Sequence, residues 1–531
     1  MFSYPYQNFY EIIEANAKKE PNKTAIFIDK RKITYLTLKE HVDTFAHFLE
    51  ASGIKSQDRV AMIVGNSEEF VVALFAISKI GAVAVPINTF LKKEEFEYIL
   101  NDSNARLLVC SFAYANETKN LLKTTKIEKI VWTDKESDLD EQNYSFSQIQ
   151  RAQKRHEQLA PKPTLDKLAC IVYTSGTTGK PKGAMLSYRN FFSNAMGGVE
   201  SFKITSADRF IVFLPMFHSF TLSIMVILPM FACSSIVIVP SVFPFSNVLK
   251  QTLLKRVTIF LGVPTLYNAL LKAKIPWYFM WFNRVRIFIS GSAPLSEQSL
   301  KEFNAKFKRG TLLEGYGLSE CSPAVSVNRP HWQKPLSVGL PLPGTEIKIV
   351  NDELVEVKNG IVGEIMVKGD CVMQGYLNHP DATDATILNG WLLTGDLGKK
   401  DDDGFIYIVD RKKDLIISKG INIYPREIEE VIYKYEGVDA VAVIGMSDPL
   451  TRDEDVVAFV QAKENVKLVE TEMRKYLKNH LANFKLPKHI YFVEELPKNA
   501  TGKVLKRVLK ESVQKNVLLK QGLEKAGTSK T

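Results

Sequence analysis

The residues from Tyr173 to Gly183 read Tyr-Thr-Ser-Gly-Thr-Thr-Gly-Lys-Pro-Lys-Gly and carry the strongest chemical signal in the chain. Gly176, Gly179 and Gly183 let the backbone turn so that successive N–H groups converge on an anion. The hydroxyls of Thr174, Ser175, Thr177 and Thr178 add donors, and Lys180 and Lys182 add positive charge. This is the composition of a phosphate cradle, although the spacing is not that of a Walker loop. A plain polar loop is the competing reading. A second run, Glu314-Gly315-Tyr316-Gly317-Leu318-Ser319-Glu320, sets between two glycines an aromatic ring that could stack on a base, although a Gly-Tyr-Gly turn is common. Its terminal carboxylate suits a Mg2+ ion held against phosphate oxygens. In a third, Gly390–Asp396 is followed by Asp410-Arg411-Lys412-Lys413-Asp414. These acceptors and donors can grip a ribose, or simply make a strand end and an ion-paired turn. In the fourth, Leu496–Lys503, a lysine follows Thr-Gly, where it either serves a reacting centre or stays solvated.

Alternating helical and strand patterns must position these groups. The spacing predicts helices over Phe9–Lys18, Leu38–Ser52 and Glu69–Ile80, and strands over Ala25–Phe27, Lys32–Thr34, Arg59–Val64 and Ala82–Val85. Such alternation implies α/β layers with parallel sheet. Residues 133–163 read as a charged surface loop with a helix, and a second α/β stretch covers about 167–330. From Val338 to Asp410, Gly and Pro become frequent and short strands are expected at Glu346–Val350, Gly363–Lys368 and Phe405–Val409. Beyond it, helices are expected near Pro425–Tyr435 and Glu470–Leu481, and strands near Val438–Ile444 and Val456–Ala462. The Lys-rich tail past Lys510 is expected to fray.

The four motifs, in this order and from about residue 8 to residue 510, resemble the adenylate-forming (AMP-binding) superfamily, and within it bacterial fatty acyl-CoA synthetases. The resemblance implies an α/β chain: a large N-terminal domain of two α/β-layered subdomains plus a small β-barrel lobe, a hinge, and a small mobile α+β C-terminal domain. It places an adenylation domain at 1–412, with the β-rich lobe at about 338–410, and a C-terminal domain at 413–531 with its hinge at Lys413. It makes Thr174, Ser175, Gly176, Thr177, Thr178, Gly179 and Lys182 the ATP phosphate loop, and stacks Tyr316 on adenine beside Gly291, Ser292 and Ala293. Glu314, Gly315 and Gly317 join that nucleotide site, and Glu320 is the metal ligand. Asp396 is the ribose acceptor with Arg411 as its partner, and Lys503 the adenylation lysine. Lys419 and Gly420 line the CoA channel after domain rotation. Ser319 stands where the family usually has Thr, and Thr451-Arg452-Asp453-Glu454 where a Gly-Glu pair is common.

Phe213–His218 matches the family's acyl-pocket stretch, and His218 would lie by the substrate carboxylate and the thiol path. A packed core histidine is the competing reading. No Asp, Glu, Lys or Arg occurs from Phe210 to Phe245, and Trp277-Tyr278-Phe279-Met280-Trp281-Phe282 is expected to add aromatic surface to the same pocket. That texture suits an alkyl chain better than an amino acid, whose ammonium needs a buried carboxylate. The expected reaction is activation of a medium- to long-chain fatty acid by ATP and Mg2+, then transfer to coenzyme A. An acyl carrier protein as acceptor and an aryl acid as substrate remain open.

Length and composition agree with these readings. The chain has 531 residues, 45% hydrophobic and 24% charged, enough for two or more packed domains. A net charge of +10 suits anionic ligands or a membrane surface. No nucleic-acid module is recognisable. Pro215, Pro229, Pro240 and His218 break the uncharged 210–245 stretch, which argues for buried strands over a membrane span. The five cysteines are widely spaced with no CxxC pair, which fits a reducing cytoplasm rather than a disulfide framework or zinc site. Peripheral contact with a membrane stays open.

Overall fold

A computed structural model describes residues 3–137, 139–152, 163–174, 180–293, 295–418, 421–447, 454–498 and 504–514. The chain divides into two compact units. The first comprises Met1–Gly291, Glu297–Ile347 and Val367–Leu393; the second comprises Ser292–Ser296, Lys348–Met366 and Thr394–Thr531.

In the first unit the α/β alternation closes into two large sheets. One has eight strands, running Gly375–Tyr376, Lys182–Ser187, Leu168–Thr174, Val83–Pro86, Arg59–Ile63, Ala105–Cys110, Lys129–Trp132 and Asn143–Ser145. From Leu168–Thr174 outward the pairings are parallel. Such strands are buried on both faces and read as near-continuous Val, Ile and Leu. Lys182–Ser187 turns back antiparallel on Leu168–Thr174, with Thr174 opposite Lys182. The Gly/Thr/Lys run is thus the connection of a hairpin.

The other sheet has nine strands. Its parallel centre is Arg209–Val212, Ser235–Ile238, Ile259–Gly262, Ile287–Ser290 and Thr311–Gly317. Residues 213–220, Gly291 and Glu314–Gly317 all lie at carboxyl ends of these strands, where open α/β sheets bind ligands. The uncharged 210–245 stretch supplies two of the strands and a buried helical run, Ser219–Phe231, whose middle is π-helical. Among the described residues no helix is long and apolar enough to cross a membrane.

Caps explain where expected boundaries shift. The helix expected from Leu38 begins at Tyr35, because the Thr34 hydroxyl accepts from the Thr37 N–H at 3.1 Å. Ser67 caps Glu68–Lys79 in the same way.

In the second unit residues 396–400 pair antiparallel with Ile406–Arg411, Asp396 opposite Arg411. A three-stranded sheet follows, Val438–Ser447, Glu454–Ala462 and His489–Val493. Pro425–Tyr433 and Glu470–His480 cover it, burying Ile428, Ile432, Met473 and Leu477. Of the tail expected to fray past Lys510, residues 511–514 complete the helix Lys506–Gln514, whose Leu509 is buried with Ala442, Ile444 and Phe459, and residues 515–531 lie outside the described residues.

Candidate active site

In the first unit one strand of the hairpin ends at Thr174 and the other begins at Lys182; Ser175, Gly176, Thr177, Thr178 and Gly179 lie outside the described residues. The Lys182 ammonium sits 5.4 Å from the centre of the Tyr376 ring. Tyr376 in turn donates to Glu320 Oε1 at 2.9 Å, and Thr174 Oγ1 approaches the same oxygen at 3.5 Å. Burial, and then the negative charge of Glu320, push the Tyr376 phenol far above its ordinary pKa, so it remains a donor. The carboxylate stands in a short 3-10 turn, Ser319–Cys321, whose Glu320 carbonyl accepts from Met373 N–H at 2.8 Å. Asn194 ties the turn down further, donating to the carbonyls of Cys321 and Ala324.

One carboxylate with a hydroxyl beside it matches how Mg2+ is held, through few protein oxygens and the substrate's phosphates. Among the described residues no cluster of three or more His, Cys, Asp or Glu could cage a metal alone. The residues present therefore fit a metal that arrives with a phosphate ligand.

The Gly-Tyr-Gly run ends its parallel strand and pairs antiparallel with Ala324–Val327, Tyr316 lying opposite Ser326. Gly317 is required there: a Cβ would stand 2.0 Å from the Pro323 carbonyl oxygen. Glu314 is buried and its carbonyl accepts from Asn328 N–H at 2.9 Å. Ser319 Oγ meets Ser219 Oγ at 2.8 Å, joining this run to the residues after Arg209–Val212.

His218 caps that helical start: its Nδ1 accepts from Phe220 N–H at 3.3 Å, which leaves the proton of the neutral ring on Nε2. Burial lowers its pKa to about 4, so the ring is uncharged at neutral pH. Phe220 packs on Gly291, where a Cβ would lie 2.7 Å from the ring. Thr174, Lys182, His218, Gly291, Ser319 and Glu320 are thus brought together through direct contacts and shared neighbours within one unit. Tyr376 and Ser219 belong to the cluster and had no signal of their own in the sequence. A two-residue strand has no periodicity, and a serine after histidine is commonplace.

The aromatic run 277–282 is not where it was expected. Phe279 is buried, but Trp277, Tyr278, Trp281 and Phe282 are 70%, 47%, 64% and 64% exposed. The run forms a short surface helix rather than a pocket wall.

In the second unit Arg411 Nε lies 3.2 Å from Oδ1 of the buried Asp396. The Asp396 N–H donates to Thr394 Oγ1 at 3.1 Å. Lys412 bridges Asp352 at 2.9 Å and Glu364 at 3.0 Å, while Lys413 is exposed in the next position. Ser292 is exposed with a left-handed φ of 68°, and Ala293 follows it. Lys506 is ion-paired to Glu429 at 2.8 Å. Burial works to lower the Lys506 ammonium, but Glu429 and Asp410 outweigh it and hold the group above its ordinary pKa. Lys419, Gly420, Lys503 and Thr451–Asp453 lie outside the described residues.

Comparison with known proteins completes this picture. Residues 13–377 match the family model of AMP-binding enzymes, and residues 427–503 that of the AMP-binding enzyme C-terminal domain. The chain is 33% identical to a long-chain-fatty-acid–CoA ligase of Salmonella typhimurium, over 96% of each chain. It is 34% identical to a feruloyl-CoA synthase of an Amycolatopsis species, over 92% of this chain and 96% of that one. Among solved structures, the anthranilate CoA ligase AuaEII in complex with anthranoyl-AMP superposes with a TM-score of 0.87 at 28% identity, covering 96% of this chain and 97% of the other. The chain belongs to the AMP-binding enzyme family, among its adenylate-forming CoA ligases.

Proposed function

We propose that this adenylate-forming CoA ligase takes a medium- to long-chain fatty acid, forms the acyl-adenylate from ATP, and passes the acyl group to CoA. What carries the choice of acid is the segment around His218. It has no charged side chain from Phe210 to Phe245, and Phe213, Phe217, Leu222 and Met225 along it are buried. An amino-acid substrate would find no carboxylate there for its ammonium. The fatty-acid relative supports the same reading.

In this mechanism the substrate carboxylate attacks the α-phosphorus and pyrophosphate leaves. The loop Thr174–Gly183 cradles the departing phosphates, and Tyr316 stacks on adenine between Gly291 and Gly317. Asp396, oriented by Arg411, accepts from the ribose hydroxyls. Mg2+, when bound, supplies positive charge against the phosphate oxygens. Glu320 holds it, and Tyr376 and Thr174 fix the carboxylate. Lys503 stabilises charge on the α-phosphate during adenylation. Neutral His218 orients the carboxylate through Nε2–H. Residues 413–531 then swing about Lys413, carrying Lys503 away and bringing Lys419 and Gly420 to the thiol path. The use of ATP and CoA points to the cytoplasm.

An aryl acid is the second reading, favoured by the feruloyl-CoA synthase relative. Pyrophosphate release across saturated acids of increasing length, beside benzoate and a hydroxycinnamate, separates the two. Burial gains about 0.8 kcal/mol per methylene, so kcat/KM should rise up to about fourfold with each carbon until added methylenes are no longer buried. Acetate should be very poor. An aryl acid or acetate surpassing every fatty acid would overturn the alkyl reading and leave the adenylation chemistry standing. Running the second step with CoA and with holo-acyl carrier protein identifies the acceptor.

A further inference from the structure

We propose that the surface helix Trp277–Phe282 and its basic surroundings dock the enzyme on an anionic lipid bilayer. The helix is anchored from below by Phe279, and Asn283 donates to the Phe279 carbonyl at 2.8 Å. Around that anchor four aromatic side chains project outward, with Trp277 and Tyr278 in edge contact at 6.1 Å. The helix packs beside Phe245–Leu254, which adds the 61% exposed Leu254 and is preceded by the 81% exposed Phe243. Between Asp208 and Glu297 the sequence has no acidic residue and eight Lys or Arg. Asp208 is itself committed to Arg286, at 2.9 Å through two hydrogen bonds. Arg209 is held below its usual pKa by burial and by the like charges of Arg256 and Arg284 beside it, so cations cluster at this end of the sheet. Lys250, Lys274, Arg256 and Arg284 are exposed.

Trp and Tyr beside Lys and Arg are the composition that settles at the headgroup boundary of a bilayer. The charge complements anionic headgroups. A second copy of the chain fits poorly, since a two-fold contact would press this positive surface against itself. A single-stranded nucleic acid would stack on the rings but gains nothing from the aliphatic Leu254, which an acyl boundary does reward. The docking stands on this surface alone, whichever acid is activated. Its use, to take up an acid dissolved in the membrane, rests on the fatty-acid reading.

The test mixes the full-length protein with vesicles of phosphatidylcholine, alone or with added phosphatidylglycerol, and reads the sedimented fraction across salt concentrations. Binding is expected only to the anionic vesicles and should weaken with salt. Trp277→Ala with Trp281→Ala should lose about tenfold or more in partitioning, with the melting temperature unchanged. Arg256→Gln and Arg284→Gln should each lose about fivefold and flatten the salt dependence. Absence of wild-type binding to anionic vesicles, or equal binding by these variants, overturns the proposal. So does a result in which the tryptophan variant abolishes self-association or oligonucleotide capture while vesicle binding is unaltered.

Discussion

Ser219 and Ser319 stand one hundred positions apart in the sequence, and their hydroxyl oxygens lie 2.8 Å from each other. The contact ties the turn that carries His218 to the turn that carries Glu320. A shift in either turn is therefore felt by the other. Ser319→Ala and Ser219→Ala should each lower kcat/KM for pyrophosphate exchange. The double variant should be little worse than the poorer single one, with a coupling of about 1 kcal/mol, the net worth of a partly buried hydroxyl pair. Strictly additive losses would mean that the contact does not link the two turns.

Tyr376→Phe removes only the phenolic donor on Glu320 and keeps the ring beneath Lys182. Loss of a hydrogen bond that orients a metal-binding carboxylate typically weakens metal affinity about 10- to 100-fold. The Mg2+ concentration giving half-maximal exchange should rise by that order, with the maximal rate recovered at high Mg2+. Glu320→Gln should not be rescued. An unchanged Mg2+ requirement in Tyr376→Phe would remove Tyr376 from this role.

Contiguous motifs were legible in the sequence; contacts between distant segments were not. The Gly-rich run and the Asp396 and Arg411 motifs stand out as local composition, while the antiparallel pairings that set Thr174 opposite Lys182 and Asp396 opposite Arg411 come from the structure. Tyr376 reaches Glu320 from 56 residues away, and no local pattern encodes that approach. The aromatic run misled for a different reason. Apolar composition says that a surface is worth burying, not what buries it. Of the run's aromatic rings, Phe279 is the one buried among the described residues. Charge hides a second pattern in the helix Lys506–Gln514, where the spacing of Leu509 and Val513 gives a face that packs on the three-stranded sheet.

Lys503 separates the two half-reactions if residues 413–531 swing as proposed. Lys503→Ala should slow acyl-adenylate formation by about 10²- to 10⁴-fold, the range for one placed charge or proton donor. Thioester formation from supplied acyl-adenylate should stay near normal. Lys413→Pro, which fixes the pivot's φ, should show the reverse pattern. Equal losses in both steps for Lys503→Ala would refute the division of labour.

His218 supplies a pH test whose sign can be worked out. Its folded pKa, lowered by burial to about 4, lies below the unfolded value of about 6.5. Between those values the unfolded chain binds more protons, so stability rises with pH. The contribution is complete above about 6.5 and is lost as pH falls toward the folded value, roughly 2 kcal/mol of it by about pH 5. A His218→Gln variant lacks this titration. The gap in urea midpoint between wild type and variant, read on the transition of the first unit, should therefore narrow from neutral pH to about pH 5. Because the ring is already neutral at working pH, the variant lowers the rate without changing the shape of the pH–rate profile from about pH 6 to 8. If an acidic limb near pH 6.5 in wild type disappears in the variant, His218 titrates during turnover. It then acts as a proton acceptor rather than as a neutral donor to the substrate.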